Sequence, residues 1–136
     1  WAGVDPGQMG LGPVHAVAKL FKQHNLKMDD LKQMELNEAF AAQVLGCQAA
    51  WASADYAHTE LGLDKPLGKM DPARLNPEGG AIAIGHPIGA SGARVALHLL
   101  RALQRKGGGL GIATLCIGGG QGGAMLVKVE EKGGAA

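Results

Sequence analysis

Three short stretches hold residues whose types could do chemistry. The first is Glu35-Leu36-Asn37-Glu38-Ala39-Phe40-Ala41, where polar Asn37 and Glu38 interrupt an apolar neighbourhood at a strand-to-helix junction. A side-chain amide there either caps the helix or holds a water or a substrate oxygen. The second stretch runs from Gly79 to Gly92 and reads GGAIAIGHPIGASG. His86 lies between a glycine and a proline, just ahead of a long helical pattern. Pro87 restricts the backbone at His86 and has no amide proton of its own. The imidazole is therefore held on a stiff loop near a helix N-terminus, which suits a proton acceptor or an oxyanion donor as well as a structural role. The third stretch is Cys116-Ile117-Gly118-Gly119-Gly120-Gln121-Gly122-Gly123. A thiol at a strand end, with glycine amides beside it, can face a ligand; the same run also reads as a plain hairpin turn. Gly118, Gly120 and Gly123 satisfy GxGxxG, but a dinucleotide fingerprint needs a helix next and an acidic residue about 20 positions on. A β-rich segment follows here instead.

The other candidates are blander. His15 and His98 sit on helix faces, His24 ends a helix and His58 falls in a loop, all positions of structural or solvated histidines. Cys47 lies inside an Ala-rich helical pattern with no histidine near it, and reads as a buried, inert thiol. With Cys116 it makes two cysteines, too few and too unpatterned for a disulfide scaffold, so both are expected free in a reducing compartment. No CxxC, HExxH or Cys/His cluster suggests a metal site. Basic and acidic residues number 13 and 12, which argues against nucleic acid or an anionic membrane as the main partner. No apolar run reaches the roughly 18–20 residues that span a bilayer. The start at Trp1 lacks the basic and apolar regions of a signal peptide, and the expected location is cytoplasmic, with an organelle left open.

Stepwise periodicity shows what must position these residues. With 46% hydrophobic residues the chain can bury a core, and its length is that of one ordinary domain, 1–136. Residues 1–12 are rich in Gly, Pro and Asp and predict a loop. Pro13 can open a helix, with Val14, Val17, Ala18 and Phe21 at helical spacing, ending at His24-Asn25. Asp29 or Asp30 could cap a second short helix, and Met34–Leu36 could be a strand. Residues 38–54 predict a buried helix, and 55–78, with three prolines, a long loop excursion. Ser91 to Lys106 predicts a helix with an apolar stripe of Val95, Ala96, Leu99, Leu100 and Leu103. Arg94, His98, Arg101 and Arg105 lie opposite, and Gly107–Gly109 stop it. Leu110–Ile117 and Ala124–Val129 predict an antiparallel hairpin. Residues 132–136 predict a flexible tail. Glycine, 23 of 136 residues against a usual ~7%, clusters at 79–92, 107–111 and 118–123, where backbone must turn or approach closely. Helices alternating with short apolar strands predict a layered α/β fold.

Three blocks in this order resemble the thiolase family: ELNEAFAAQ at 35–43, GGAIAIGHPIGASGAR at 79–94 and CIGGGQGGA at 116–124. GLGPVHAV at 10–17 is similar to the family's GPxxA helix start. The resemblance covers nearly the whole chain, but only about the last third of a family member. It implies the thiolase C-terminal domain, a mixed sheet with helices packed on it, and an acyltransferase that makes or breaks the carbon–carbon bond of a 3-ketoacyl-CoA, as in fatty-acid β-oxidation. By resemblance His86 matches the histidine that activates the nucleophilic cysteine and helps hold the thioester oxygen. Asn37 matches the asparagine that positions a water in that oxyanion hole. Cys116 matches the second cysteine, which moves the proton at the substrate α-carbon or the leaving CoA thiol. Gly118 matches a second oxyanion hole's amide, and Ala39 and Phe40 match residues lining the pantetheine tunnel. CoA and acyl-CoA are implied as substrates, with no resident cofactor.

The nucleophile is expected elsewhere. In the family it comes from an N-terminal part; Cys116 already matches another role, and Cys47 has the wrong surroundings. The chain alone is therefore expected to be inactive, with an N-terminal thiolase part as partner and a homo-oligomer, dimer or tetramer, of complete subunits. Residues 52–78 are longer than the family pattern, and Pro77-Glu78 stand where it often has a small polar pair, so no binding role is carried into that stretch. Two other classes compete. A ketoacyl-synthase-type condensing enzyme typically lacks the cysteine of Cys116-Ile117-Gly118. A non-catalytic thiolase-like module would bind acyl-CoA or lipid without turnover.

Overall fold

A computed structural model describes residues 1–130; the expected flexible tail at 132–136 lies outside them. The chain opens on a two-residue strand, Ala2–Gly3 (β1), and a 3-10 turn, Pro6–Leu11, so residues 1–12 are not simply loop. Asp5 starts that turn by accepting a hydrogen bond from the Gly7 amide at 2.7 Å. Helix α1, Gly12–His24, follows with Pro13 in its first turn, where no amide donor is needed. Val14, Val17 and Phe21 bury one stripe of it, and Asn25 ends it in the left-handed conformation, φ 51°. The expected second helix is a single 3-10 turn, Met28–Asp30. Lys27, not an aspartate, precedes it; Asp30 reaches back to accept from the Lys27 amide at 2.9 Å.

Gln33–Leu36 form strand β2. Helix α2 spans Ala41–Ala52 rather than 38–54, because the Asn37 amide still donates to Thr114 O and prolongs the strand pairing. Nor is α2 buried all round. Gln43, Cys47, Gln48, Ala50 and Trp51 face the core, while Leu45 is exposed on the far side. The expected loop excursion contains a helix, α3, Ala54–Thr59, started by Ser53 Oγ accepting from the Tyr56 amide. The rest of the stretch has a structural task. Met34 N donates to Arg74 O and Asn76 N to Met34 O, so this segment covers the outer edge of β2. Gln48 ties it to α2 through both backbone polar atoms of Met70.

The one-turn helix Ala81–Ile84 (α4) leads to α5, Ile88–Arg105, which starts ahead of the expected Ser91. Val95, Leu99, Ala102 and Leu103 are its buried stripe; Leu100 is only half-buried. Gly107–Gly109 then adopt positive φ and turn the chain into strand β3, Gly109–Ile117. Strand β4, Gln121–Val129, begins earlier than Ala124, after a turn at 118–120.

The sheet order is β1-β4-β3-β2; β3 and β4 pair antiparallel and β2 pairs parallel with β3. Alternation along β3 splits the core into two layers. Ile112 joins Val14, Val17, Phe21, Met34 and Trp51 under α1 and α2, whereas Ala113 packs with Val95, Leu99 and Leu103 of α5. Each fully buried aliphatic side chain of this kind stabilises by about 1.5–3 kcal/mol. The result is a layered α/β fold with helices on both faces of a mixed sheet. Among the described residues no helix is long and apolar enough to cross a membrane.

Candidate active site

Strand register and helix direction bring the three stretches to one end of the sheet. Leu36 pairs with Thr114, so Asn37 and Cys116 both lie just past it, at the carboxyl ends of parallel neighbours β2 and β3. Helix α5 runs against β3. A Cβ on Gly111 would meet Leu99 and Leu103, whereas one on Gly92 would touch Leu115. The α5 N-terminus, and the loop carrying His86 before it, therefore sits at that same carboxyl end. Such ends are common places for ligand sites in α/β sheets.

The Asn37 amide and the His86 ring meet there: Asn37 Nδ2 lies 3.4 Å from His86 Nε2. Asn37 is only 2% exposed while His86 is open to solvent. On the other side of the ring, His86 Nδ1 lies 2.6 Å from Ser91 Oγ, and Ser91 donates its own proton to Pro87 O at 3.1 Å. With that hydroxyl proton used, Ser91 Oγ accepts from Nδ1–H. The neutral imidazole then carries its lone pair on Nε2, beside the Asn37 amide. A ring in this tautomer can take up a proton at Nε2 and donate from there once charged. The helix-cap reading of Asn37 does not hold, since Phe40 occupies the N-cap of α2.

The loop is fixed from several sides. Gly85 takes φ 87°, a conformation favouring glycine, and its carbonyl accepts from Arg94 Nη2 at 2.9 Å. Glu38 accepts from the Ile82 amide and from Asn76 Nδ2, and a Cβ on Gly80 would lie 2.8 Å from its carboxyl carbon. Asn76 in turn pairs with both backbone polar atoms of Leu36. Sequence marks Glu38 as polar beside Asn37 and places Ser91 and Arg94 on the helix, but gives none of them, nor Asn76, a part in holding the site. Ser91 and Arg94 lie within the glycine-rich block, and a hydroxyl five residues after His86 was the available signal. The Glu38–Asn76 pairing spans the long excursion and has no local signature.

Cys116 is 9% exposed and shares its strand face with Ile112 and Thr114, the face under α1. Burial pushes its thiol up, opposed by a backbone hydrogen bond, so it rests protonated. Among the described residues no hydrogen bond joins Cys116 to Asn37 or His86; the three share an end of the sheet, and of them only Asn37 and His86 are paired by one. Gly118 is exposed, and a Cβ there would meet nothing within 4 Å. Ala39 is half-buried, its amide donating to Asn37 O, and Phe40 is 60% exposed. Cys47 is fully buried, donates to Gly10 O at 3.3 Å, and has its thiol pushed up to about 12 by burial. His15 pairs with Tyr56 Oη at 2.9 Å, its pKa lowered by burial; His24 and His58 are exposed. His98, by contrast, is not simply solvated, for two glutamates flank it. Among the described residues no cluster of three or more His, Cys, Asp or Glu could hold a metal ion.

The family model described as "Thiolase, C-terminal domain" matches residues 1–129. The chain belongs to the thiolase family. It is 42% identical over 122 residues to the 3-ketoacyl-CoA thiolase of Shewanella loihica, covering 90% of this chain and 28% of that protein. It is 47% identical over 127 residues to the beta-ketoadipyl-CoA thiolase of Pseudomonas knackmussii, covering 93% and 28%. The crystal structure of human mitochondrial 3-ketoacyl-CoA thiolase in complex with CoA matches with a TM-score of 0.76 at 40% identity, covering 95% of this chain and 28% of that one. The chain thus spans a little over a quarter of the length of these thiolases, corresponding to their C-terminal domain.

Proposed function

We propose that this thiolase domain supplies the acid/base and oxyanion groups for acyl transfer to CoA coupled to condensation or thiolytic cleavage of a 3-ketoacyl-CoA. The nucleophilic cysteine comes from an N-terminal thiolase part. The observation that carries this reading is the Asn37–His86 pair at the sheet's carboxyl end, with Ser91 Oγ against Nδ1 on the far side of the ring.

The roles follow from these positions. His86 Nε2 takes the proton of the attacking thiol and, once charged, donates to the thioester oxygen. Asn37 holds a water that donates to that same oxygen. Cys116, protonated at rest, gives its proton to the leaving CoA sulfur or, as thiolate, removes one from the α-carbon of the acyl group. The Gly118 amide donates to the enolate or thioester oxygen that develops beside it. Ala39 and Phe40 line the path of the pantetheine arm. CoA and acyl-CoA are substrates, and no resident cofactor is required by this chemistry. The cytoplasm is the proposed location, and complete subunits associate as dimers or tetramers.

Apolar side chains left exposed at Ile82, Ile84, Ile88 and Leu97 support a covering N-terminal part along α4 and α5. The test is acetoacetyl-CoA thiolysis by the chain alone and after addition of that part. Turnover is expected only from the combination. Robust turnover by the chain alone would overturn the division of labour, and CoA binding without turnover by the combination would favour a non-catalytic module.

A further inference from the structure

Behind Asn37, on the side away from Cys116, lies an ionisable cluster that the proposed chemistry does not use. His98 Nε2, on α5, lies 3.7 Å from Glu35 Oε1 on β2 and 3.6 Å from Glu78 Oε2 in the segment before α4. Glu35 is 4% exposed and its second tie is Gln33, whose Nε2 donates to Oε1 at 2.6 Å. Gln33 is itself held by Lys106 Nζ. Glu78 is gripped by Arg105 Nη2 through both carboxylate oxygens, at 2.7 and 2.6 Å. Glu35 precedes Asn37 by two positions, and Glu78 roots the Gly79–Gly85 run that ends at His86. The imidazole thus stands between the two segments that carry the Asn37–His86 pair. A small cavity of about 30 Å³ connects them, lined by Glu35, Asn37, Gly80, Arg94 and His98. Asn37 Oδ1 and His98 Nε2, both buried, have no hydrogen-bond partner among the described residues.

We infer that His98 is a positioning residue: it bridges Glu78 and Glu35 and so sets the His86 loop against the strand end that carries Asn37. As imidazolium the ring presents a positive charge to both carboxylates, and as the neutral Nε2–H tautomer it can donate to one of them. Removing the ring leaves Glu78 held by Arg105 alone and leaves Glu35 buried beside another carboxylate. Burial already raises the Glu35 pKa, with His98 acting to lower it. The other charged groups around the ring are Arg94, Arg101, Arg105 and Lys106 on or just past α5, and Glu38 beyond Glu35. The residues β3 turns toward this helix include Gly111, Ala113, Leu115 and Ile117, none of them charged. This inference rests on the reading of Asn37 and His86 as one site.

The test is a ¹⁵N-imidazole titration of the intact protein across about pH 5–8, where histidines change charge, in wild type, H98Q, E35Q and E78Q. The His86 signals of wild type are expected to differ from those of H98Q, E35Q and E78Q across that range. In thiolysis, H98Q is expected to lower kcat about tenfold with KM little changed, as for a misplaced catalytic group, and to flatten the pH profile; H98K, keeping a charge there, should recover part of it. His86 signals unchanged in all three variants would overturn the clamp. A wild type without thiolysis would instead overturn the proposed function, and the titration would still decide the clamp.

Discussion

The two thiols of this thiolase domain sit in contrasting regions. Around Cys47 the chain is closed: the sulfur is fully buried on α2, donates to Gly10 O and receives Gln43, beside Trp51 in the main core. Around Cys116 it opens: the strand ends, Gly118 is exposed, and the His86 ring reaches solvent at the same sheet end. The glycines divide the same way. A Cβ on Gly122 would lie 2.0 Å from Gly12 O, because α1 rests directly on β4, while one on Gly118 would meet nothing. Residue types that look alike in sequence therefore have different surroundings, tight packing in one region and, on the proposed reading, chemistry in the other.

That division is open to breaking by substitution. His86→Ala should lower thiolysis by the complete enzyme about 10³-fold or more, within the range for a lost general base, with unfolding free energy changed by no more than about 0.5 kcal/mol, as for exposed sites. Steady-state kinetics with denaturant unfolding checks both halves; a large stability loss would place His86 in the closed region. Trp51→Ala should do the reverse, costing about 3–5 kcal/mol of stability while leaving kcat per folded molecule near wild type. The glycines make a finer comparison. Gly122→Ala should destabilise by about 1–3 kcal/mol through overpacking, whereas Gly118→Ala should leave the melting temperature in place and lower turnover about tenfold or more by crowding the oxyanion amide. Equal melting curves for the two variants would contradict the account. The smallest effect is a labelling difference. Both thiols have raised pKa values, so each stays protonated near neutrality and reacts slowly with iodoacetamide, but Cys47, pushed up to about 12 and fully buried, should stay unlabelled in the native protein even as pH climbs through 9.

Much of this was legible from residue patterns because the signals were local. The Val14–Phe21 stripe, the Val95–Leu103 stripe and the glycines after Lys106 predict α1, α5 and the turn into β3 from neighbours alone. Helix α3 was hidden among prolines although Ser53 is an ordinary N-cap. The start of α2 was misread because Asn37 is held in extended pairing by Thr114, a partner far along the chain. Of the site, the histidine, asparagine and cysteine stood out by type and by their glycine surroundings. What fixes them did not: the Ser91 contact depends on the Gly85 turn, and Glu38 meets Asn76 only after the excursion has wrapped β2. Nor could spacing tell that Asn37 and His86 touch while Cys116 stands one strand away.

On the proposed reading neither Cys47 nor Cys116 is the acyl-accepting thiol. The direct measurement is to incubate the intact protein with acetyl-CoA, quench in acid, and locate the acetyl group by peptide mass spectrometry. Acetylation is expected on a cysteine in the N-terminal part, with Cys47 and Cys116 unmodified. Stoichiometric acetyl on Cys116 would contradict it.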